Sequence, residues 1–546
     1  MRAARLLAFC AAIICFAIPS AAQQNTRWER LLGIPVSQTG APPLPAVEGF
    51  QDHVVEGKLV LSLDDAIRLA FLNNTDIRID EASVRNAENS VKRAFTPFDP
   101  LLTSSFNDQR TKSPTSTELQ GAPVLNTLSQ TTQIGYSQTF SPGTNFQTAF
   151  STLKFSTNSA FNFLNPSYTS LWQFQVSQPL LRNFGRFANR APILLAQRNL
   201  KQSQAAFQAE VSTTLLQVIT QYWNVVLARE SLLVTRKAYE EAQQSYERDK
   251  KALSLGALPP LDIYRSESQV ASRRVALIQA EYLLKQAQDN FRQAIGADRD
   301  PNIRALDLNL VEDLEPRDVA ISPDIATALT AALANRSEME AARQQLAGDE
   351  IGVKLAHNNL KPDLRLIGLY STNGTGGNEY STTPPPVLLI PGGFGDSLNQ
   401  LFNFKYPTYG GTISFTLPIK NHSAEADLGD ALVNRTRDQY NQEKMRQVIT
   451  LQVTNAVHDL EEAKLSLEAA RVAVDLAQKS LQAEQRKYTL GSSTVFFVLD
   501  AQTQLAQAEF ALAQAQTGYQ TAVASLDFAT GQLLDHHQIK IVPATK

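Results

Sequence analysis

Residues able to do bond-making chemistry are few and scattered. The six histidines are His53, His357, His422, His458, His536 and His537, and none has the spacing of a metalloprotease or a zinc site. The His536-His537 pair lies near the C-terminus and reads as tail rather than as a ligand pair. Gly374, Gly376 and Gly377 resemble a glycine-rich loop in composition only. They lack the Lys-Ser/Thr that follows in a phosphate-binding loop. No Gly-x-Ser-x-Gly elbow offers a serine nucleophile. The two cysteines, Cys10 and Cys15, both fall in the first apolar segment. The expectation is a protein with no catalytic residue, no metal and no cofactor, and hence not an enzyme.

Charge and targeting narrow the class. The net charge is −3 and lysine and arginine do not cluster, which argues against a nucleic-acid partner. Arg2 and Arg5 precede an apolar run, Leu6 to Ile18, and then Ser20-Ala21-Ala22. That order reads as a signal peptide, residues 1–22, cleaved after Ala22. The run is shorter than the ~20 residues of a membrane span. Cys15 follows Ile14, where a lipid-attachment site wants a small residue, so no lipid anchor is expected. Residues 23–60, with Pro42, Pro43 and Pro45, read as an N-terminal arm. Beyond the signal no apolar run reaches ~18 residues, so any membrane crossing must use strands.

The elements behind these residues come in two copies. Ala66-Ile67-Arg68-Leu69-Ala70 aligns with Ala328-Leu329-Thr330-Ala331-Ala332, and the register holds to Pro100 and Pro362. Phe174 to Pro179 likewise matches Ile413 to Pro418. Each repeat, 61–300 and 324–532, reads as a helix, a β region, a very long helix and a returning helix. Residues 301–323 read as a linker and 533–546 as a C-terminal tail. The long helices, about 183–254 and 421–489, end at Leu255-Gly256 and Leu490-Gly491. The returning helices end at Gly296 and Gly531, 40 residues after those glycines in both copies.

Heptad spacing marks the helical partners. Ala501, Leu505, Ala508, Leu512, Ala515, Tyr519, Ala522, Leu526 and Ala529 alternate steps of four and three. Ser266, Val270, Arg273, Leu277, Ala280, Leu284, Ala287, Phe291 and Ala294 do the same, and so do Leu460, Ala463, Leu467, Ala470, Val474, Ala477 and Leu481. Such a seam faces a partner helix, and its alanines let the backbones approach. Each long helix and its return should form an antiparallel coiled-coil hairpin. A helix of ~70 residues is ~105 Å long, so two shorter helices stacked end to end would match one long one.

Between the helices, Trp172, Phe174 and Val176 alternate with Gln173, Gln175 and Ser177, and Ile413, Phe415 and Leu417 with Ser414 and Thr416. This suits a barrel wall with lipid outside and water inside, although a half-buried soluble sheet gives the same pattern. Prolines bound the region at Pro100, Pro179, Pro362 and Pro418. Entry and exit on one side require an even number of crossings. Strands are expected near 101–109, 129–140, 145–156, 168–178, 363–370 and 409–417, with 371–408 an outer loop. Whether 129–156 joins the barrel or projects from it stays open at this point.

The ordered set of features resembles the TolC-like outer-membrane efflux protein family over roughly 60–535. It includes Leu63 to Ala70, Gln178-Pro179-Leu180-Leu181, Tyr488-Thr489-Leu490-Gly491 and Val498-Leu499-Asp500-Ala501. The resemblance implies an α+β fold: a duplicated coiled-coil helical tunnel plus β-barrel strands shared among three chains. It implies a homotrimer in the outer membrane whose tunnel crosses the periplasm and opens at its tip on docking. The partners would be a periplasmic adaptor protein and an inner-membrane pump, of the resistance-nodulation-division, ABC or a similar class. Independently, four to six strands per chain fall short of the ~8 that a small barrel needs, so closure must be intermolecular.

Gate residues follow from the same resemblance. Tyr488 matches the family's linking tyrosine, Asp262 the aspartate it engages, and Asp500 one of two pore aspartates. Ser493 stands where an arginine link can occur, and Phe497 where the second pore aspartate would be. An apolar constriction at Phe497 is therefore expected alongside a ring of Asp500 carboxylates, which would favour cations. Leu255, Gly256, Ala257, Leu490, Gly491 and Ser492 end the hairpins and form the expected adaptor-docking tips. Two other classes fit the sequence less well. A periplasmic adaptor would carry one hairpin with lipoyl-like and barrel modules, and a passive porin would lack the long helices.

Overall fold

The computed structural model describes residues 46–160, 162–255, 260–315, 323–381 and 387–539, without the side chains of residues 119, 260 and 262. Two short strands, β1 (Val54–Val55) and β2 (Lys58–Leu61), precede helix α1 (Leu63–Asn73). The Ser62 side chain accepts from the Asp65 amide at 3.2 Å while Asp65 accepts from the Ser62 amide at 3.3 Å. This reciprocal cap explains the Leu-Asp-Asp opening of the repeat. Asn74 caps α2 (Thr75–Arg93) in turn, accepting from Asp76 and Ile77.

The first repeat continues through β3 (Leu101–Pro114), β4 (Val124–Thr139), β5 (Asn145–Thr157), β6 (Leu164–Pro179), α3 (Arg186–Ser254) and α4 (Pro260–Ala294). A short connection holds α5 (Pro301–Arg304) and β7 (Asp307–Leu310). The second repeat runs through α6 (Ile325–Asn335), α7 (Ser337–Asn359), β8 (Asp363–Tyr380), β9 (Leu388–Ile390), α8 (Phe394–Phe402) and β10 (Tyr406–Thr416). It ends with α9 (His422–Thr489), α10 (Val495–Thr530) and α11 (Leu533–His536). Among the described residues no helix is long and apolar enough to cross a membrane.

The long helices α3 and α9 hold 69 and 68 residues, about 100 Å each. Shorter helices stack end to end beside them. At the junction of α2 and α4, Asn74 Nδ2 donates to the Ala294 carbonyl at 2.8 Å. Gly296 has φ +74°, and a Cβ there would lie 2.6 Å from the Asn73 carbonyl oxygen. Gly531, φ +75°, sits against Asn335 in the second copy, and the Arg336 guanidinium lies 4.7 Å over the Phe528 ring. The heptad seams are the buried faces: Leu460, Ala463, Leu467 and Leu481 meet the side of α10 that carries Ala501, Leu505, Tyr519, Ala522 and Leu526.

Where the stacked helices meet, a small sheet closes a belt. β2 pairs antiparallel with β1 and parallel with β7. Phe50, Leu59, Leu61, Tyr222, Trp223, Phe291, Ile295 and Leu533 are buried together there. The Tyr222 hydroxyl donates to the Leu61 carbonyl and accepts from the Glu312 amide, both at 3.3 Å. Parts of the segments read as arm, linker and tail thus carry β1, β2, β7 and α11.

The larger sheet is antiparallel, in the order β10-β8-β6-β5-β4-β3, with β9 on the outer end of β8. The β4–β5 hairpin lies inside this sheet, between β3 and β6. Cross-strand partners share a face. One face carries the row Tyr409, Tyr370, Phe174, Thr148, Tyr136 and Leu102, then Trp172, Phe150 and Ile134. The intervening row on the other face is Thr408, Ser371, Gln173, Ala149, Gly135 and Thr103. An apolar face backed by a polar one suits a wall between lipid and water. Pro100 and Pro362 immediately precede β3 and β8, Pro179 ends β6, and Pro418 follows β10.

Candidate functional site: the hairpin tips

The α9–α10 turn is built by a glycine in the left-handed region. Gly491 has φ +77° with open space around its α-carbon. Its amide donates to the Tyr488 carbonyl at 3.0 Å, and the Ser492 amide to the Lys487 carbonyl at 3.0 Å. These two bonds close the helix in a Schellman motif. Leu490 projects outward, 77% exposed, and Leu255, directly after α3, is 82% exposed. Gly256 and Ala257 lie outside the described residues. Two apolar side chains therefore stand in solvent at the tips, which suits a docking surface.

Ser493 does not reach across to the other hairpin. It donates to Glu484 Oε2 at 2.9 Å, within its own hairpin. Lys487 joins the same carboxylate at 2.7 Å, and the two bonds, the lysine's first, hold Glu484 below the usual carboxylate range. Phe497 and Phe496 pack edge-on with centroids 5.4 Å apart, and both are more than half exposed. Asp500 is exposed and accepts from Gln504 Nε2 at 2.7 Å. Behind them Val498, Ala501 and Leu505 are buried against Leu481.

Tyr488 meets the first repeat on α3. The Arg248 guanidinium lies 5.6 Å over its ring. Burial pushes the phenol up, and the neighbouring Asp249 charge adds to the rise while Arg248 opposes it. Asp249 is fully buried and accepts from the Ser266 hydroxyl, and its other oxygen has no hydrogen-bond partner. Asp262 is the third residue of α4, and its side chain lies outside the described set.

Two polar ties join the hairpins above the tip. Arg273 NH2 donates to Thr503 Oγ1 at 2.7 Å. Lys237 Nζ donates to Glu509 at 2.9 Å, and this bond raises the lysine's pKa. A cleft of about 740 Å³ lies between α4 and α10, lined by Tyr264, Arg265, Gln269, Phe496, Asp500 and Thr503 among others. Arg248, Asp249, Ser266 and Thr503 were not singled out by sequence as tip residues. Ser266 and Arg273 did carry a signal, since both are polar at seam positions.

Among the described residues no group of His, Cys, Asp and Glu is arranged to hold a metal ion. The fold and this tip can be set beside known proteins. A model of the family described as outer membrane efflux protein matches residues 66–297 and 328–532. The chain belongs to the outer membrane efflux protein family. Among curated members, the outer membrane efflux protein BepC of Brucella suis biovar 1 (strain 1330) is 23% identical over 485 residues, 88% of each chain. The outer membrane protein TolC of Escherichia coli (strain K12) is 24% identical over 60% of this chain and 63% of its own length. The fold matches the Campylobacter jejuni CmeC outer membrane channel with a TM-score of 0.63 at 15% identity, covering 95% of this chain and 94% of that one. It matches the open state of the Neisseria gonorrhoeae MtrE outer membrane channel with a TM-score of 0.59 at 19% identity, covering 90% and 98%. The family comprises outer-membrane channels rather than enzymes, and membership implies an outer-membrane location.

Proposed function

We propose that this efflux-family chain is the exit duct of a tripartite efflux or type I secretion system. Three copies would share one barrel and one helical tunnel through the periplasm. A periplasmic adaptor and an inner-membrane pump would dock at the tips and open them. The observation that carries this reading is the sheet: six long strands with, among the described residues, β3 and β10 paired on one side only. Unpaired edges are not tolerated in lipid. Because six is even, β3 of one copy runs antiparallel to β10 of the next. Three copies would close at about eighteen strands, the size class of water-filled porin barrels.

The gate we assign to the tips is partly apolar. Phe496 and Phe497 would narrow the opening, with Asp500 supplying negative potential beside them. Tyr488 on Arg248, and Arg273 on Thr503, would hold the two hairpins together in the resting state. Native mass determination of protein extracted from isolated outer membranes tests the assembly. A trimer of the mature chain is expected, and a soluble periplasmic monomer would defeat the channel reading. In planar bilayers, Asp500→Asn should lower cation selectivity and Phe497→Ala should raise conductance. Unchanged values in both would remove these residues from the gate.

A further inference from the structure

The segment between β8 and β10 does not cap the mouth of the sheet. α8 lies flat on one face of it. Along β8, Thr372, Gly374 and Gly376 are buried while Asn373 and Thr375 between them are exposed. Ser397 of α8 is buried, its hydroxyl donating to the Gly374 carbonyl at 3.0 Å and accepting from the Ser170 hydroxyl at 2.7 Å. The Thr372 hydroxyl donates to the Leu401 carbonyl at 3.3 Å. The approach is close enough to need glycine. A Cβ on Gly374 would stand 2.0 Å from the Ser397 carbonyl oxygen, and one on Gly376 2.3 Å from that of Gly393.

The covered face is the apolar one. Thr372 shares its row with Trp172, Phe150 and Ile134, and Tyr370 with Phe174 and Tyr136. Phe402 of α8 meets Trp172 edge-on at 6.0 Å, and Phe394 lies 5.9 Å from Tyr168. Both phenylalanines keep an open outer side, at 56% and 41% exposure. Val387 to Ile390, just before α8, are each 47–59% exposed. Aromatic side chains on an amphipathic helix at the end of an apolar band describe an interfacial element.

Charge on the same face points to what covers it. Lys154 shares the row of Tyr168 and Gly376, and Arg110 and Lys112 follow on the same face of β3, farther from the helical side. Lys405 follows α8, its ammonium 5.5 Å over the Tyr406 ring. Two acids stand nearby: Asp108 on the same face of β3, and Asp396, which caps Gly393 at 2.7 Å.

We propose that residues 387–405 lie outside the barrel at the outer-leaflet boundary, with Phe394 and Phe402 in the acyl region and Lys154, Arg110 and Lys112 on anionic lipid headgroups. The inference rests on the barrel reading and specifies which surface of it meets which lipid. The test uses the trimer in vesicles of phosphatidylcholine and phosphatidylglycerol, without the cysteine-bearing signal. Single-cysteine fluorophores are placed at Phe402, at Phe150 on the apolar face away from α8, and at Asn373 on the polar face. Nitroxide carried on lipid should quench the probes at Phe402 and Phe150, and an aqueous quencher only that at Asn373. Quenching at Phe150 but not at Phe402 overturns the inference alone. Quenching at neither overturns the barrel reading with it. Nitroxide on phosphatidylglycerol should exceed nitroxide on phosphatidylcholine at Phe402, by about fivefold local enrichment for a single cation at an anionic surface. The combined change K154Q, R110Q, K112Q and K405Q should abolish that excess. Equal quenching by both lipids in the wild type would overturn the headgroup assignment.

Discussion

Ser266 and Arg273 occupy seam positions where the rest of the returning helix offers Val, Leu, Ala and Phe. A buried polar group requires a partner. The partners are Asp249 for one and Thr503 for the other. Sequence periodicity could mark the two residues as needing partners. It could not name them, because Thr503 lies 230 residues away on the other repeat. Replacing Thr503 with valine keeps the shape and removes the acceptor. We expect a cost of about 1–2 kcal/mol and a higher single-channel conductance. A lower melting temperature with unchanged conductance would mean that the tie is structural only. Tyr222 supports a pH prediction. Burial is the main cause that pushes its phenol from 10.0 up to about 12. A raised folded pKa means stability intact below pH 10 and lost as pH rises toward 12, because the unfolded chain releases its proton first. Alkaline unfolding should therefore show a steeper loss in the wild type than in Tyr222→Phe, compared from each protein's neutral-pH stability.

Helix ends were the most legible elements. The equal intervals from Gly256 to Gly296 and from Gly491 to Gly531 predict two turns and two stops; Gly256 lies outside the described residues, and Gly296, Gly491 and Gly531 all have positive φ. Their surroundings differ, and so should their substitutions. Gly296→Ala must strain φ and push a Cβ into the Asn73 carbonyl, for which about 1–3 kcal/mol is expected. Gly491→Ala has open space and should cost about 1 kcal/mol for the left-handed conformation alone. Equilibrium unfolding of the two variants makes the comparison. The strands were legible as alternation but their ends were not: β6 starts four residues before the expected 168, and β8 runs ten beyond the expected 370. Alternation fades where the mixed loop chemistry of Gly, Asn and Thr begins. Faces are a sharper test than ends. Phe150→Arg puts a charge on the apolar face, at about 2–4 kcal/mol near the bilayer midplane, and should block insertion. Ser151→Arg, one residue on, should insert normally and alter ion selectivity. Both are read by membrane fractionation and conductance.

At the scale of the molecule, the duplication could be read from one chain, yet the belt that joins the repeats could not. β2 and β7 have four residues each and pair across 249 positions, Lys58 with Asp307, and four residues are too few for a period to show. The belt core runs from Phe50 to Leu533. Leu533→Ala should cost about 2–5 kcal/mol, read as a fall in the denaturant midpoint, although the residue lies far from both tip and sheet. The belt also dictates an order of events in the life of the chain. On the proposed route through the export machinery, Phe50 would emerge early and Leu533 late, and both belong to one buried cluster. Until Leu533 emerges the belt core would stay incomplete. A chain stopped before Leu533 would thus lack part of that core and should be more open to proteolysis than the full-length chain.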